Sequence, residues 1–307
     1  MEISLRQPYS FKQLGKRSNQ EDARFPDSDM PQDVKAAFVV CDGVGGIDKG
    51  EVASSIAAKT IGREMQRADL SRPFTAKDFG RVLNAVYDAF TRASDASNRG
   101  MATTMTFVCF HSKGIFTAYI GDSRIYHVRP GVGILYRTED HSLVNELVHS
   151  GNITPEQAVN HPQSNVITRC LTPLKPGQHR ETASTFQLRD VEAGDYIFMC
   201  TDGVLHQVSD QALVDILSGP GSDKEKIQLL AAMSAGSSDN NTAYLIGVEN
   251  VIYDDDDAPP AEGSDAGTTG TPTHPLGASA DTIVETPASR QPKTLGGRIS
   301  DFFDKLF

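Results

Sequence analysis

Apolar residues recur in two different rhythms along the first 250 positions. Short runs rich in β-branched and aromatic residues predict strands at Ala36–Cys41, Thr103–Phe110, Asp195–Cys200 and Thr242–Val248, and at Ile115–Val128 broken by Gly121-Asp122-Ser123. Several are apolar at every position, which predicts a sheet covered on both faces. Helices are predicted where apolar residues step by three and four: Val52, Ile56, Ala57, Thr60, Ile61 and Met65, then Phe79, Val82, Leu83, Val86 and Phe90. A third helix starts near Ser142 and stops at Gly151, with Thr154-Pro155-Glu156 opening another turn. A fourth follows Ser209, whose hydroxyl can cap QALVDIL. Successive strands lack the intervening helix of a doubly wound sheet, so antiparallel hairpins with helices packed outside the sheets are expected. No internal repeat is visible.

The pattern breaks near residue 250. Residues 251–307 hold ten acidic against four basic side chains, a net charge of −6, with six prolines and the acidic block Asp254 to Asp257. So little apolar area cannot offset the entropy of ordering the chain, and 251–292 reads as a disordered linker after a folded unit spanning 1–250. Within 293–307, Ile299, Phe302, Phe303, Leu306 and Phe307 return to helix-like spacing. A helix this short needs a partner surface, so this segment is a candidate docking motif.

Charge and cysteine content narrow the functional classes. The 307-residue chain has 29 Lys and Arg against 40 Asp and Glu, a formal charge of −11, which gives no general attraction to nucleic acid or an anionic membrane. Cys41, Cys109, Cys170 and Cys200 are scattered, matching neither a CxxC metal site nor a disulfide framework, and a reducing compartment is expected. No apolar run reaches the roughly 18–20 residues of a membrane span, and Met1–Phe11 lacks the apolar stretch of a signal peptide. The expectation is a soluble cytoplasmic protein.

The candidate chemistry lies in acids at the ends of predicted elements. Asp42 follows a strand in AFVVCDGVGG, Asp202 does so in FMCTDGV, Asp122 sits in the turn of YIGDSRIY, and Asp239 precedes the last strand in SSDNNTAYLIGV. Glu21 and Asp22 are adjacent in GKRSNQED. Singly, an aspartate before glycine is more often an ordinary turn than a ligand. Gathered at one sheet end, the same carboxylates would repel and raise one another's pKa unless a cation neutralised them. Oxygen donors without clustered Cys or His suit magnesium or manganese and argue against structural zinc.

RSNQED, CDGVGG, GMATTMTF, YIGDSR, EDHSLVNELVHSGNITPEQAVNHPQSNVITRCL, FMCTDGV and SDNNTA stand in the order found in the PP2C-type metal-dependent protein serine/threonine phosphatases. Over roughly residues 8–248 the chain resembles a bacterial-type member. That resemblance implies an α/β (α+β) four-layer αββα sandwich, two largely antiparallel β-sheets flanked by helices, with two Mg²⁺ or Mn²⁺ ions at one edge. It implies that Asp42 bridges the ions, with Gly43 adding a backbone carbonyl. Glu21 would hold the second ion with support from Asp22, and Asp202 and Asp239 the first. Asp122 would hold a weaker third ion, sharing Asp202. Arg17 matches the arginine that grips the substrate phosphate, a role suited to a bidentate guanidinium. Paired divalent ions can activate a water in line with phosphorus, so no covalent intermediate is needed.

The chain has Val44 where many eukaryotic members carry a histidine proposed as the general acid, a lack that bacterial-type members often share. His141 in EDHS is the alternative donor to consider, although its place before a helix favours a structural hydrogen bond. Cys41 and Cys200, beside proposed ligands, are expected to pack rather than attack. The segment Asp140–Thr168 is expected to carry the flap near the site. The implied substrates are phosphorylated proteins, with a serine/threonine kinase or its targets as partners and a monomer as the expected assembly. Two other functions remain compatible with the residues: a catalytically weak phosphoprotein-binding regulatory module, and a metal phosphoesterase acting on small molecules.

Overall fold

The computed structural model describes residues 1–32, 35–44, 49–94, 100–159, 161–174 and 177–253. Gly45 and Gly46 of the glycine-rich motif, the expected linker from 254 to 292 and the 293–307 segment lie outside them. In chain order the elements are β1 (Glu2–Leu5), β2 (Tyr9–Gln13), β3 (Ala23–Phe25), β4 (Ala37–Cys41), α1 (Gly50–Arg67), α2 (Ala76–Ala93), β5 (Met105–His111), β6 (Gly114–Ile120), β7 (Arg124–Arg129) and β8 (Gly133–Arg137). They continue with α3 (Leu143–His149), α4 (Pro155–Val159), β9 (Ser184–Leu188), β10 (Tyr196–Cys200), α5 (Asp202–Leu205), α6 (Asp210–Ser218), α7 (Asp223–Ser234) and β11 (Asn241–Ile252).

Two antiparallel sheets result. One runs β1-β11-β10-β7-β8, with β2 also paired to β11, and the other runs β3-β4-β5-β6-β9. The strands expected from apolar runs form the middle of both. In β4, Ala37, Val39 and Cys41 face a cluster with Ala57, Ile61, Phe79 and Val86 of α1 and α2, while Phe38 and Val40 face the opposite sheet. In β10, Tyr196, Phe198 and Cys200 face Leu213, Leu217 and Leu230 of α6 and α7, while Ile197 and Met199 point between the sheets. Each strand therefore needs apolar side chains on both faces, which is why these runs lack polar alternation. Phe38 crosses to Tyr244 of β11 edge-on, with ring centroids 5.3 Å apart. Each such buried large side chain contributes about 1.5–3 kcal/mol of transfer free energy. This is the expected four-layer sandwich.

Local signals agree at several ends. Ser142 and Ser209 accept hydrogen bonds from Asn145 N–H and Ala212 N–H and cap α3 and α6. Thr75 with Asp78, and Ser222 with Glu225, form reciprocal capping boxes on α2 and α7. The four cysteines are buried free thiols. Among the described residues no helix is long and apolar enough to cross a membrane. The expected linker start at 251 needs correction: β11 continues to Ile252, pairing Val251 with Ile3 and Ile252 with Glu2. Its apolar alternation is too short at that point to stand out in sequence, and β1 is what completes the ladder.

Candidate metal centre

Five of the six singled-out acids come from strand ends or from a turn joining two strands, and Asp202, separated from β10 by Thr201, is the first residue of α5. Asp42 follows β4, Asp122 lies between β6 and β7, Glu21 and Asp22 lead into β3, and Asp239 precedes β11. The two stacked sheets bring these ends together. Burial first, then repulsion from Asp22, Asp202, Asp122 and Asp239, raises the Asp42 carboxyl well above the usual range. Burial and the charges of Asp202 and Asp239 push Asp22 up to about 7, even though Thr201 hydrogen-bonds to it. Asp122 is pushed up to about 8 by burial and by Asp202 and Asp140. Asp202 is raised by burial too, and by the charge of Asp239, against the opposing pull of His206. Carboxylates that raise one another this way share one electrostatic site.

The surrounding loops interlock through polar contacts. Asn240 accepts the Glu21 N–H at 2.7 Å through Oδ1 and donates through Nδ2 to the carbonyls of Leu14 and Asn19, at 2.8 and 3.0 Å. It thereby ties the loop carrying Arg17 and Glu21 to the start of β11. Thr201 Oγ1 donates to Asp22 Oδ2 at 3.1 Å and accepts the Thr242 N–H at 3.0 Å. The Glu21 carbonyl accepts from Gly43 N–H at 3.1 Å and from the Ser54 hydroxyl at 2.5 Å, so α1 and the Asp42 turn both press on it. Gly203 must be glycine because a Cβ there would lie 1.9 Å from the Asn240 carbonyl oxygen. Arg17 stands at the rim, donating to Asp239 Oδ2 at 2.7 Å, and feels the charges of Glu21 and Asp42.

A divalent cation fits this donor set. Asp22 Oδ1 and Asp202 Oδ1 are buried oxygens with no hydrogen-bond partner, an arrangement that is costly unless a positive charge faces them. Every nearby acidic donor is a hard oxygen, as magnesium and manganese prefer. Among the described residues no three acidic, histidine or cysteine side chains close to ligand spacing, so convergence and orphaned oxygens carry the fit.

Three further residues stand near the site. His206 Nε2 lies 3.9 Å from Asp202 Oδ2, one helical turn further along. Nothing in the motif order marked His206; its four-residue offset from Asp202 was the available signal. Val44 packs against a cluster of Ala102, Ile167 and Cys170, making it an apolar strut between the Asp42 turn and the segment after α4. His141 is clamped on the turn before Asp122: its N–H donates to the Gly121 carbonyl at 2.9 Å, and its Nδ1 accepts the Gly121 N–H at 3.0 Å. Burial and Arg169 push the ring pKa down to about 3, so it is neutral. Nδ1 is occupied by that backbone donor, and Nε2 lies 2.9 Å from both Ser184 Oγ and the Arg169 guanidinium, so both ring nitrogens are engaged inside the fold. His141 thus serves the structural role expected of it. Burial raises the Cys41 and Cys200 thiols far above physiological pH, as packing groups require.

A family model described as Protein phosphatase 2C matches residues 14–234. Protein phosphatase PhpP of Streptococcus pneumoniae is 32% identical over 251 residues, covering 80% of this chain and 97% of that protein. The crystal structure of the Mycobacterium tuberculosis serine/threonine phosphatase PstP/Ppp superimposes with a TM-score of 0.67 at 29% identity, covering 80% of this chain and 99% of that one. The catalytic domain of serine/threonine protein phosphatase PstP in complex with two manganese ions gives a TM-score of 0.63 at 27% identity, covering 81% and 100%.

Proposed function

The chain belongs to the protein phosphatase 2C family, and on that premise we propose how its residues divide the work of metal-dependent hydrolysis of phosphoserine and phosphothreonine in proteins. Asp42 would hold the divalent ions, with Gly43 contributing its backbone carbonyl. Asp202 and Asp239 serve one position and Glu21 the other, and Asp22 supports them from beneath through Thr201. Asp122, with Asp202, serves a weaker third. When bound, Mg²⁺ or Mn²⁺ supplies an activated water and offsets charge on the phosphoryl oxygens.

Arg17 is exposed enough to exchange its contact with Asp239 for two oxygens of an incoming phosphate, a bidentate grip that orients the phosphorus. Val44 carries no proton to give, and His141 is neutral with both ring nitrogens engaged, so neither protonates the leaving serine or threonine oxygen. The substrates proposed are phosphorylated proteins on a serine/threonine kinase pathway, including the kinase itself, in the cytoplasm. Residues 293–307 are proposed to dock a partner, on the spacing of Ile299, Phe302, Phe303, Leu306 and Phe307.

The observation that carries this reading is the meeting of Asp42 and Asp202 from opposite sheets beside an orphaned carboxylate oxygen. Phosphate release from a phosphothreonine peptide tests it, using wild-type and Asp42→Ala protein with Mn²⁺ and then with EDTA. Turnover that needs both the metal and Asp42 supports it. Folded wild-type protein that binds Mn²⁺ without turnover overturns it.

A further inference from the structure

Two of the turns assigned to metal binding, those of Asp42 and Asp122, follow β4 and β6, which are separated in their sheet by β5. Thr104, the residue before β5, touches both. Its N–H donates to the Asp42 carbonyl at 2.8 Å, and its Oγ1 accepts the Asp42 N–H at 3.1 Å. The same Oγ1 lies 2.8 Å from Ser123 Oγ, immediately after Asp122. Its methyl reaches the other flank of that turn. Gly121 has φ +105°, and a Cβ there would lie 2.6 Å from Thr104 Cγ2. Thr104 is 3% and Ser123 1% exposed, so water does not compete for this hydroxyl pair. With the backbone donor of Asp42 on Oγ1, the threonine proton is free to go to Ser123, giving a chain from Asp42 N–H through Thr104 to Ser123.

We propose that Thr104 is a positioning residue that sets the separation between the Asp42 and Asp122 carboxylates, and thereby governs whether the weaker ion position formed by Asp122 and Asp202 can close. The inference rests on the metal assignment above and adds to it a residue that touches neither ion nor substrate. Both turns are pinned by one side chain that is rigid at χ1, so a change of the hydroxyl is transmitted to the carboxylates that follow β4 and β6.

Mn²⁺ binding measured by calorimetry, alongside peptide turnover as a function of Mn²⁺ concentration, tests it. Thr104→Val keeps the shape and removes the relay. Its weakest Mn²⁺ site is expected to lose about 10-fold or more in affinity, with turnover recovering at excess Mn²⁺ and an unchanged far-UV spectrum. Thr104→Ser keeps the hydroxyl and should restore the wild-type isotherm. Ser123→Ala should reproduce the loss, and the double variant should lose no more than Thr104→Val alone. A folded Thr104→Val protein with the wild-type isotherm and Mn²⁺ requirement overturns the relay. Should Thr104→Val fail to fold, Ser123→Ala decides, since an unaltered isotherm there overturns the relay equally. Wild-type protein that binds no Mn²⁺ overturns the metal assignment together with this inference, which distinguishes that failure from failure of the relay alone.

Discussion

Asp42 and Asp202 repel each other although they follow strands of different sheets, Asp42 after β4 and Asp202 after β10. The fold must bear that repulsion wherever no cation offsets it.

Asp42→Asn is therefore expected to separate stability from activity. Removing one charge relieves the repulsion, so the metal-free variant should melt at a higher temperature than metal-free wild type. Mn²⁺-dependent phosphopeptide turnover should fall by more than the about 10–100-fold typical of losing an outer-sphere partner. Calorimetry with EDTA and a turnover assay with Mn²⁺ read the two effects.

Gly203→Ala tests the close approach beside Asp202. The new Cβ would meet the Asn240 carbonyl at 1.9 Å and must displace the residue that holds Glu21. An overpacking loss of about 1–3 kcal/mol is expected, with a fall in turnover of about 10-fold or more from displaced ligands. Urea denaturation and steady-state kinetics check both.

His141 has a folded pKa pushed down to about 3 by burial and Arg169, so it takes no part in proton transfer near neutrality. The kcat profile of His141→Asn between pH 6 and 9 should keep the wild-type shape, while loss of an alkaline limb would revive a general-acid role. The unfolded ring binds a proton below about pH 6.5 whereas the folded ring does not until near pH 3. The unfolded state is therefore favoured progressively as pH falls through that window. His141→Asn should remove this share of the acid sensitivity in urea titrations.

Asp195 responds in a different window. Burial pushes its carboxyl up, but hydrogen bonds from His127 at 2.8 Å, Arg129 at 2.9 and 3.0 Å and the Glu192 N–H at 2.8 Å outweigh it and hold the carboxyl down at about 2. Its stabilisation is complete above the unfolded value, about pH 4, and disappears as pH drops toward 2. Asp195→Ala leaves His127 and Arg129 facing a lost acceptor and should cost about 3–5 kcal/mol at pH 7. The difference from wild type should shrink below pH 4, as read by denaturant midpoints.

The end of β11 can be tested by truncation. A chain ending at Tyr253 should keep wild-type stability and basal turnover on a small phosphate ester. A chain ending at Glu249 loses the pairs of Asn250, Val251 and Ile252 with β1, and the Tyr253 hydroxyl bond to the Val191 carbonyl at 2.6 Å. At about 0.5–1.5 kcal/mol per net hydrogen bond, a loss of roughly 2–4 kcal/mol is expected, visible as a lower urea midpoint.

The central strands were legible because burial on both faces leaves an uninterrupted apolar run, as in AFVVC and YIFMC. Edge elements were not. In β9, Phe186 is partly exposed and stacks on Tyr136 of β8 at 4.7 Å, a contact made across the sandwich edge. Helix α7 was hidden by Lys226, which sits in its buried stripe and donates to the Leu217 carbonyl and the Tyr196 hydroxyl, at 2.7 and 3.1 Å. A lysine in an apolar stripe breaks the periodicity even when its amine is satisfied inside the fold.

Which acids are candidates for a metal centre could be read locally, because a carboxylate beside a strand end or glycine turn is a matter of neighbouring residues and the order of motifs. How those acids meet could not, since Asp42 and Asp202 come together only through the stacking of two sheets across Phe38, Tyr244 and their neighbours. The same holds for Asn240 and Thr104, ordinary polar residues in sequence whose partners come from distant segments. A hydrogen bond is specified by where its donor and acceptor lie in space, and for these residues that place is set by long-range packing.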